Sequence, residues 1–240
     1  SPDSDSLVVP VTEEFLFMPQ TYLVLTESPA NIRNEYSVQN SSVLLENNLP
    51  AFNVDFGNVT LFYQNANDLT VIDAFDYDED FHHPLLDDVK GVSLERINPT
   101  TETQDESNWH SAAESVGYAT PTYQNSQFLS NSETSESLIS IPNKSFTPDN
   151  DGDRDFLQIN YQTDAPDFVA NVKVFDTSGR LVKDLISNEL LATEGFFTWD
   201  GTTDENRLAR LGIYIVYVQI FSPTGEVKEF KESCVLAERF

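Results

Sequence analysis

A short acidic segment near the middle of the chain, SFTPDNDGDRDF at residues 145–156, has the residue types that bind a hard cation. Its carboxylates stand at every second position, as Asp149, Asp151, Asp153 and Asp155. Carboxylates spaced in this way on a curved loop can converge on one Ca²⁺ ion, which takes roughly six to eight oxygen ligands. These four residues are the candidate metal ligands, and Ca²⁺ is the cofactor that the sequence suggests.

A second interpretation of the same segment needs no metal. The segment is not an EF-hand loop, because with Thr147 first and Gly152 sixth, the twelfth residue is Gln158 and not glutamate. Aspartate side chains can instead accept hydrogen bonds from nearby backbone N–H groups in an Asx-type turn that begins a strand. Since four crowded carboxylates repel one another, the metal interpretation remains open beside the turn.

The histidines do not complete a catalytic or metal-binding set. His82 and His83 are adjacent, so on a strand their side chains would point to opposite faces. His110 precedes Ser111, but a nucleophile and its base need hydrogen-bond reach and a third, orienting group. The sequence also has no G-x-S-x-G, H-E-x-x-H or glycine-rich phosphate motif. These observations predict a protein that is not an enzyme.

The charge of the chain excludes two classes of partner. The 240 residues carry a net charge of −27, with a sequence pI of about 4.1. Such a surface repels nucleic-acid phosphates and anionic lipids. No apolar run approaches the roughly 20 residues of a membrane span, so we expect no membrane insertion.

Cys234 is the single cysteine and lies in an apolar run, where we expect it to be buried.

The elements that must position these residues are strands. Runs rich in Val, Ile, Phe and Tyr alternate with Gly, Pro, Asn and Asp clusters, which predicts an all-β, antiparallel protein. Gly179 and Gly225 mark two hairpin turns, and the run 212–222 is predicted to be a central strand covered on both faces. A short helix is expected within 106–116, with Ser107 as its cap. The predicted strands are 21–26, 59–64, 69–78, 92–97, 156–164, 171–179, 181–186, 195–201, 212–222 and 227–237.

A Ser- and Asn-rich stretch at residues 124–140 divides the chain. We therefore predict two Ig-like antiparallel β-sandwich domains, at residues 1–129 and 141–240, with a polar linker at 130–140. The chain begins with SPDSDS and without Met, which we interpret as a piece of a longer protein.

Three motifs in the first domain carry a family resemblance: GVSLERI, NWHSAA and YATPTYQNSQ. They resemble the bacterial lamin-tail-type domain, an Ig-like sandwich of secreted Bacteroidetes proteins. The opening strands of that family are missing here, which would leave a strand edge unpaired. The resemblance thus implies that the missing strands come from upstream sequence or from another chain.

The second domain carries another resemblance. It has, in order, PDNDG, the hairpin DTSGR, WDG and a G-x-Y strand. This order is similar to the Ig-like domain of flagellar hook-capping proteins and to the C-terminal domains of gliding-motility proteins and type IX secretion cargo. In such cargo the terminal domain is an export signal that the outer-membrane translocon recognises.

Together these observations predict a non-catalytic C-terminal region of a larger secreted or cell-surface bacterial protein. Its role would be protein–protein interaction, surface display or type IX export, with its own upstream domains or the export translocon as partners. Two alternatives remain. The chain could be an accessory module of a secreted hydrolase or nuclease whose active site lies upstream, or a structural subunit of a surface appendage or secretion complex.

Overall fold

The fold is described from a computed structural model, which covers residues 11, 18–65, 68–129, 138–149 and 151–238, with Asn65 as backbone only. The chain divides into two compact units, Ser1–Phe128 and Leu129–Phe240. Residues 130–137 of the predicted linker at 130–140 lie outside the described residues. Strands make up 42% of the structure and helices 9%, in several antiparallel sheets, so the predicted all-β Ig-like class is confirmed.

The N-terminal unit contains three small sheets within the part of the chain that the structure describes. β1 pairs with β2 in parallel, β3 and β4 form a long antiparallel hairpin, and β5 pairs with β6. The elements are β1 Val24–Thr26, α1 Pro29–Glu35, β2 Leu44–Glu46, β3 Phe56–Asn65, β4 Asp68–Asp78, β5 Leu94–Arg96 and β6 Trp109–Ser111, with 3₁₀ turns at Ser41–Val43, Glu79–Phe81, Glu106–Asn108 and Glu114–Val116.

A buried carboxylate holds the segment after β6 against β5. The Glu95 side chain is only 3% exposed. Its Oε1 accepts the Thr120 hydroxyl proton, and its Oε2 accepts Ser126 Oγ at 2.7 Å and the Gln127 N–H at 3.1 Å. A buried charge without partners costs several kcal/mol, so these donors are needed for the irregular chain from Thr120 to Gln127 to remain folded around it.

The C-terminal unit is a two-sheet sandwich. One sheet has five strands in the order β11-β10-β13-β14-β8, and the other has three in the order β12-β9-β7. Apart from the short parallel pair β14–β8, neighbouring strands are antiparallel. The strands are β7 Ile139–Ser140, β8 Ser145–Phe146, β9 Leu157–Gln162, β10 Val169–Asp176, β11 Leu181–Leu190, β12 Glu194–Trp199, β13 Gly212–Phe221 and β14 Val227–Leu236.

Aromatic side chains fill the core between these two sheets. Trp199 is fully buried, with its ring centroid 5.3 Å from that of Phe146 and 5.1 Å from that of Tyr214. Its Nε1 donates to Thr202 O at 2.8 Å, which satisfies the indole N–H inside the core. Cys234 is buried in the same cluster, as predicted, and burial raises the pKa of its thiol to about 12.

Both predicted hairpin turns are present. Gly179 has φ +79° and donates its N–H to Asp176 O at 2.9 Å, closing the turn between β10 and β11. Gly225 has φ +84° and donates to Ser222 O at 2.9 Å between β13 and β14. Positive φ is the conformation that glycine adopts without steric cost, which is why these positions could be recognised from the sequence.

Two details of the sequence prediction are wrong. β13 is central, but only its inner face is covered, since Ile213 and Ile215 are 55% and 36% exposed on the outer face. Residues 106–116 contain two 3₁₀ turns, and the first, Glu106–Asn108, is capped by Asp105, whose Oδ1 accepts the Ser107 N–H at 3.1 Å, and not by Ser107. Asp105 directly precedes the turn, whereas Ser107 lies inside it, so the Asp105 side chain takes the capping position.

We expect Gly201→Ala to destabilise the C-terminal unit strongly. Gly201 has φ +78°, and a Cβ there would stand 2.7 Å from Leu236 Cδ1 inside the core. Left-handed backbone strain and overpacking together should lower the free energy of unfolding by about 2–4 kcal/mol, measured by urea denaturation. Gly179→Ala is the matched control, because its φ is +79° with nothing within 4 Å. Equal losses for both variants would contradict the packing argument.

Candidate functional site

The acidic segment forms the loop between β8 and β9. The Thr147 N–H donates to Arg154 O at 2.8 Å and closes the base of the loop. Above this base, one carboxylate oxygen from each of Asp149, Asp151 and Asp155 lies within 4.8 Å of the others. The loop thus brings together three of the four predicted ligands.

Asp153 is the predicted ligand that the loop does not bring to the cluster. Its Oδ2 lies 3.4 Å from Arg154 Nη2, and both side chains are more than half exposed. Alternation along the sequence suggested that all four carboxylates converge, but Gly152 has φ +88° and Arg154 has φ +58°. These two left-handed residues, one on each side of Asp153, break the simple alternation.

The hydrogen bonds of an Asx turn are present in the same loop. Asp149 Oδ1 accepts the Asp151 N–H at 3.2 Å, and Asp151 Oδ1 accepts the Asp153 N–H at 2.8 Å. Asp155 Oδ2 accepts the Gly152 N–H at 2.9 Å, while its Oδ1 is shielded from solvent and has no hydrogen-bond partner among the described residues. The oxygen-only donor set fits Ca²⁺, so the turn is compatible with a cation on the same carboxylates.

The serine that the sequence placed beside His110 has a different histidine partner. Ser111 Oγ lies 2.9 Å from His82 Nδ1 and accepts the His83 N–H at 2.9 Å. His110 points elsewhere, with its Nε2 3.1 Å from Ser107 O. Ser111 is completely buried, so its hydroxyl is not accessible to a substrate. We interpret the contact as a tie between β6 and the segment after the Glu79–Phe81 turn.

Burial lowers the pKa of His82 below its ordinary value of 6.5. The neutral ring can accept the Ser111 hydroxyl proton at Nδ1, and protonation of that nitrogen would remove the acceptor. The folded unit therefore favours neutral His82. Sequence reasoning missed this pair because the two residues are 29 positions apart and belong to an irregular segment and a strand.

The outer face of the five-stranded sheet in the C-terminal unit is apolar at one end. Ile213 of β13 is opposite Val235 of β14, and Ile215 is opposite Phe175 of β10. Ile213, Ile215 and Val235 are exposed, as is Leu181 opposite Phe175 on β11. We name these five side chains the outer-face patch. An exposed apolar surface on one sheet face is a common mark of a protein-binding site.

Comparison with protein families identifies the domain that carries this patch. Residues 139–236 match the CHU_C type IX secretion signal domain. The predicted resemblance of the C-terminal domain to type IX cargo is confirmed, whereas the lamin-tail resemblance of the first domain remains a prediction. No curated protein matches the chain significantly.

The match has two direct consequences. A type IX secretion signal implies export from the cell, so the protein is secreted or located at the cell surface. The signal domain itself is a non-catalytic region. In the part of the chain that the structure describes, no helix is long and apolar enough to cross a membrane.

We expect Ca²⁺ to raise the melting temperature of the protein through the β8–β9 loop. Neutralising Asp155 by Asp155→Asn should abolish the difference in melting temperature between Ca²⁺ and a chelator, because this residue belongs to the three-carboxylate cluster. Asp153→Asn is the matched control and should preserve the response, since Asp153 lies outside the cluster. If Ca²⁺ does not change the melting temperature of the unmodified protein, the loop binds no Ca²⁺ and its carboxylates serve only the hydrogen bonds of the Asx turn.

We expect acidification to destabilise the N-terminal unit through His82. The pKa of His82 is lower in the folded protein than its ordinary 6.5, so its contribution to stability is full above pH 6.5 and is lost as the pH falls through the folded value. His82→Gln should reduce the loss of stability between pH 7 and pH 5, measured as the shift of the urea midpoint. An unchanged shift would contradict the assignment.

Proposed function

We propose that this chain is the non-catalytic C-terminal region of a larger secreted or cell-surface protein, and that its C-terminal unit directs export through a type IX translocon. The observation that carries this proposal is the secretion-signal match at residues 139–236. The N-terminal unit then takes part in protein–protein interaction or display at the cell surface.

The limits of the match coincide with the first and last strands of the C-terminal unit, which supports the proposal. Every residue of the large buried cluster in this unit lies between Ile139 and Leu236. The first matched residue begins β7, and the last one ends β14. A signal that is read as a folded domain needs a core of its own, and these residues provide one.

The outer-face patch is the surface that we propose for recognition by the translocon. A flat apolar sheet face binds a protein partner by burying its aliphatic side chains, which requires no deep pocket. Ile213 and Ile215 would be the central contacts, since they extend from the middle strand of the sheet and are both exposed.

The positive charges of the chain are concentrated in the unit that carries the patch. Lys173 of β10 pairs with Asp184 at 3.0 Å, and Lys231 of β14 lies 5.4 Å from the centroid of the Tyr217 ring. Ten of the 13 Lys and Arg residues of the chain follow residue 138. The C-terminal unit is therefore less repulsive toward an anionic surface than the N-terminal unit.

Export of a reporter tests the function and the recognition surface separately. In a type IX-competent bacterium, a periplasmically targeted reporter fused to residues 1–240 should reach the medium or the cell surface. The same fusion without residues 139–240 should remain in the periplasm. Export of the truncated fusion, or retention of the full one, would contradict the export function.

Two exposed apolar residues on opposite sheets give a matched pair for the surface. Ile215→Glu introduces a charge into the outer-face patch and should reduce the exported fraction by about tenfold. Phe196→Glu makes the same chemical change on β12, at a residue that is 59% exposed on the other sheet, and should export normally. If both folded variants are exported equally, the translocon does not recognise the outer-face patch, although the proposed export function still stands.

A further inference from the structure

The β3–β4 hairpin of the N-terminal unit has one edge open and one edge covered. Across the described residues, β3 pairs only with β4. The outer edge of β4 is capped by the loop that follows β5, where Gln104 Oε1 accepts the Asp76 N–H at 3.2 Å. Thr103 Oγ1 also donates to Asp73 Oδ1. β3 is therefore the strand whose free edge can accept another strand.

The sequence of β3 lacks the usual protection of an edge strand. Natural edges carry charged residues, especially lysine, or proline to prevent pairing with other chains. The ten residues FGNVTLFYQN of β3 contain neither proline nor a charged residue, although the chain has 53 charged Asp, Glu, Lys and Arg residues. A two-stranded hairpin is also marginally stable alone in water. Both facts favour an added strand at this edge.

An apolar groove of about 730 Å³ lies against the same hairpin. Its floor contains Phe75 of β4 stacked on Trp109 of β6, with ring centroids 3.7 Å apart. Val59 and Leu61 of β3 line the groove and are 47% and 52% exposed. A strand added beside β3 would place every second side chain on the face that Val59 and Leu61 share, directly over this groove.

The charges around the groove define the chemistry of the occupant. A second cavity, of about 540 Å³, adjoins the groove and shares Val54, His82, Val89 and Lys90 with it. Lys90 is the one Lys or Arg in its lining, against five carboxylates: Asp55, Glu79, Asp80, Asp87 and Asp88. A segment that ends here gains from lysine or arginine and loses from aspartate or glutamate.

We propose that β3 and the groove form a docking site for an extended segment of another polypeptide, with apolar residues at alternate positions and Lys or Arg at the end that reaches the acidic cavity. Residues 1–17 of this chain fit poorly, because they contain four acidic residues and no Lys or Arg. A second copy fits poorly as well, because each copy carries a net charge of −27. This inference concerns only the N-terminal unit and does not rest on the export function.

A synthetic strand tests the site in the full 240-residue protein. The probe is a fluorescent peptide of alternating valine and threonine with two lysines at each end. Its binding is measured by fluorescence anisotropy. We expect saturable binding that is weakened at least about tenfold when the lysines are replaced by glutamates, or when alternate amides are N-methylated to remove the edge hydrogen bonds. Binding that survives both changes would overturn the proposal, as would no binding of the original peptide.

A pair of matched variants tests whether the peptide binds at the groove. Leu61→Glu should weaken binding about tenfold, whereas Leu85→Glu, at a leucine that is 59% exposed and does not line the groove, should leave it within about twofold. Equal weakening by both would indicate a non-specific effect of the substitutions, unrelated to the groove, and would overturn the site. If Leu61→Glu fails to fold, the N-methylated peptide still tests whether binding depends on the edge of β3, because it needs no variant of the protein.

The other two occupants give distinct results. If residues 1–17 cover the edge, the peptide binds only after these residues are deleted. If a second copy covers it, light scattering finds a dimer that Leu61→Glu converts into a monomer. Either result would overturn the proposal of a separate partner, while a monomer that binds the peptide with residues 1–17 in place supports it.

Discussion

The C-terminal unit depends on one constraint, which is that its middle strand must be paired along both edges. β13 is hydrogen-bonded to β10 on one side and to β14 on the other, and its ten pairs with β14 show no register shift. This regular ladder fixes which side chains face the three-stranded sheet, because a slip of one residue would exchange the two faces. The position of Tyr214 and Val216 in the core, and of Ile213 and Ile215 outside it, follows from that register.

The N-terminal unit shows what happens without such a strand. Its three sheets have two strands each within the described residues. Polar side-chain contacts therefore supply part of the stabilisation that strand pairing supplies in the C-terminal unit. Glu95 holds the segment after β6 through hydroxyl and amide donors, and Ser111 ties β6 to His82. Contacts of this kind are more sensitive to protonation and to lost partners than a sheet is.

The sequence was informative where local rules apply and uninformative where distant segments meet. Strand runs, the hairpin glycines 179 and 225, and the burial of Cys234 follow from composition and turn chemistry. The exposed outer face of β13 does not, because an apolar run looks the same whether one face or both are covered. In the acidic loop, the sequence identified the candidate carboxylates. It could not exclude Asp153, whose position depends on the positive φ of Arg154, a residue type that rarely adopts it.

The burial of Cys234 gives the molecule a built-in indicator of its folding state. It is the single cysteine of the chain, and the pKa of about 12 keeps its sulfur protonated and unreactive while the sandwich is closed. A thiol reagent would therefore modify this position in chains whose sandwich has opened and spare the closed ones. For a domain that carries an export signal, such labelling would distinguish export as a folded body from export as an extended chain.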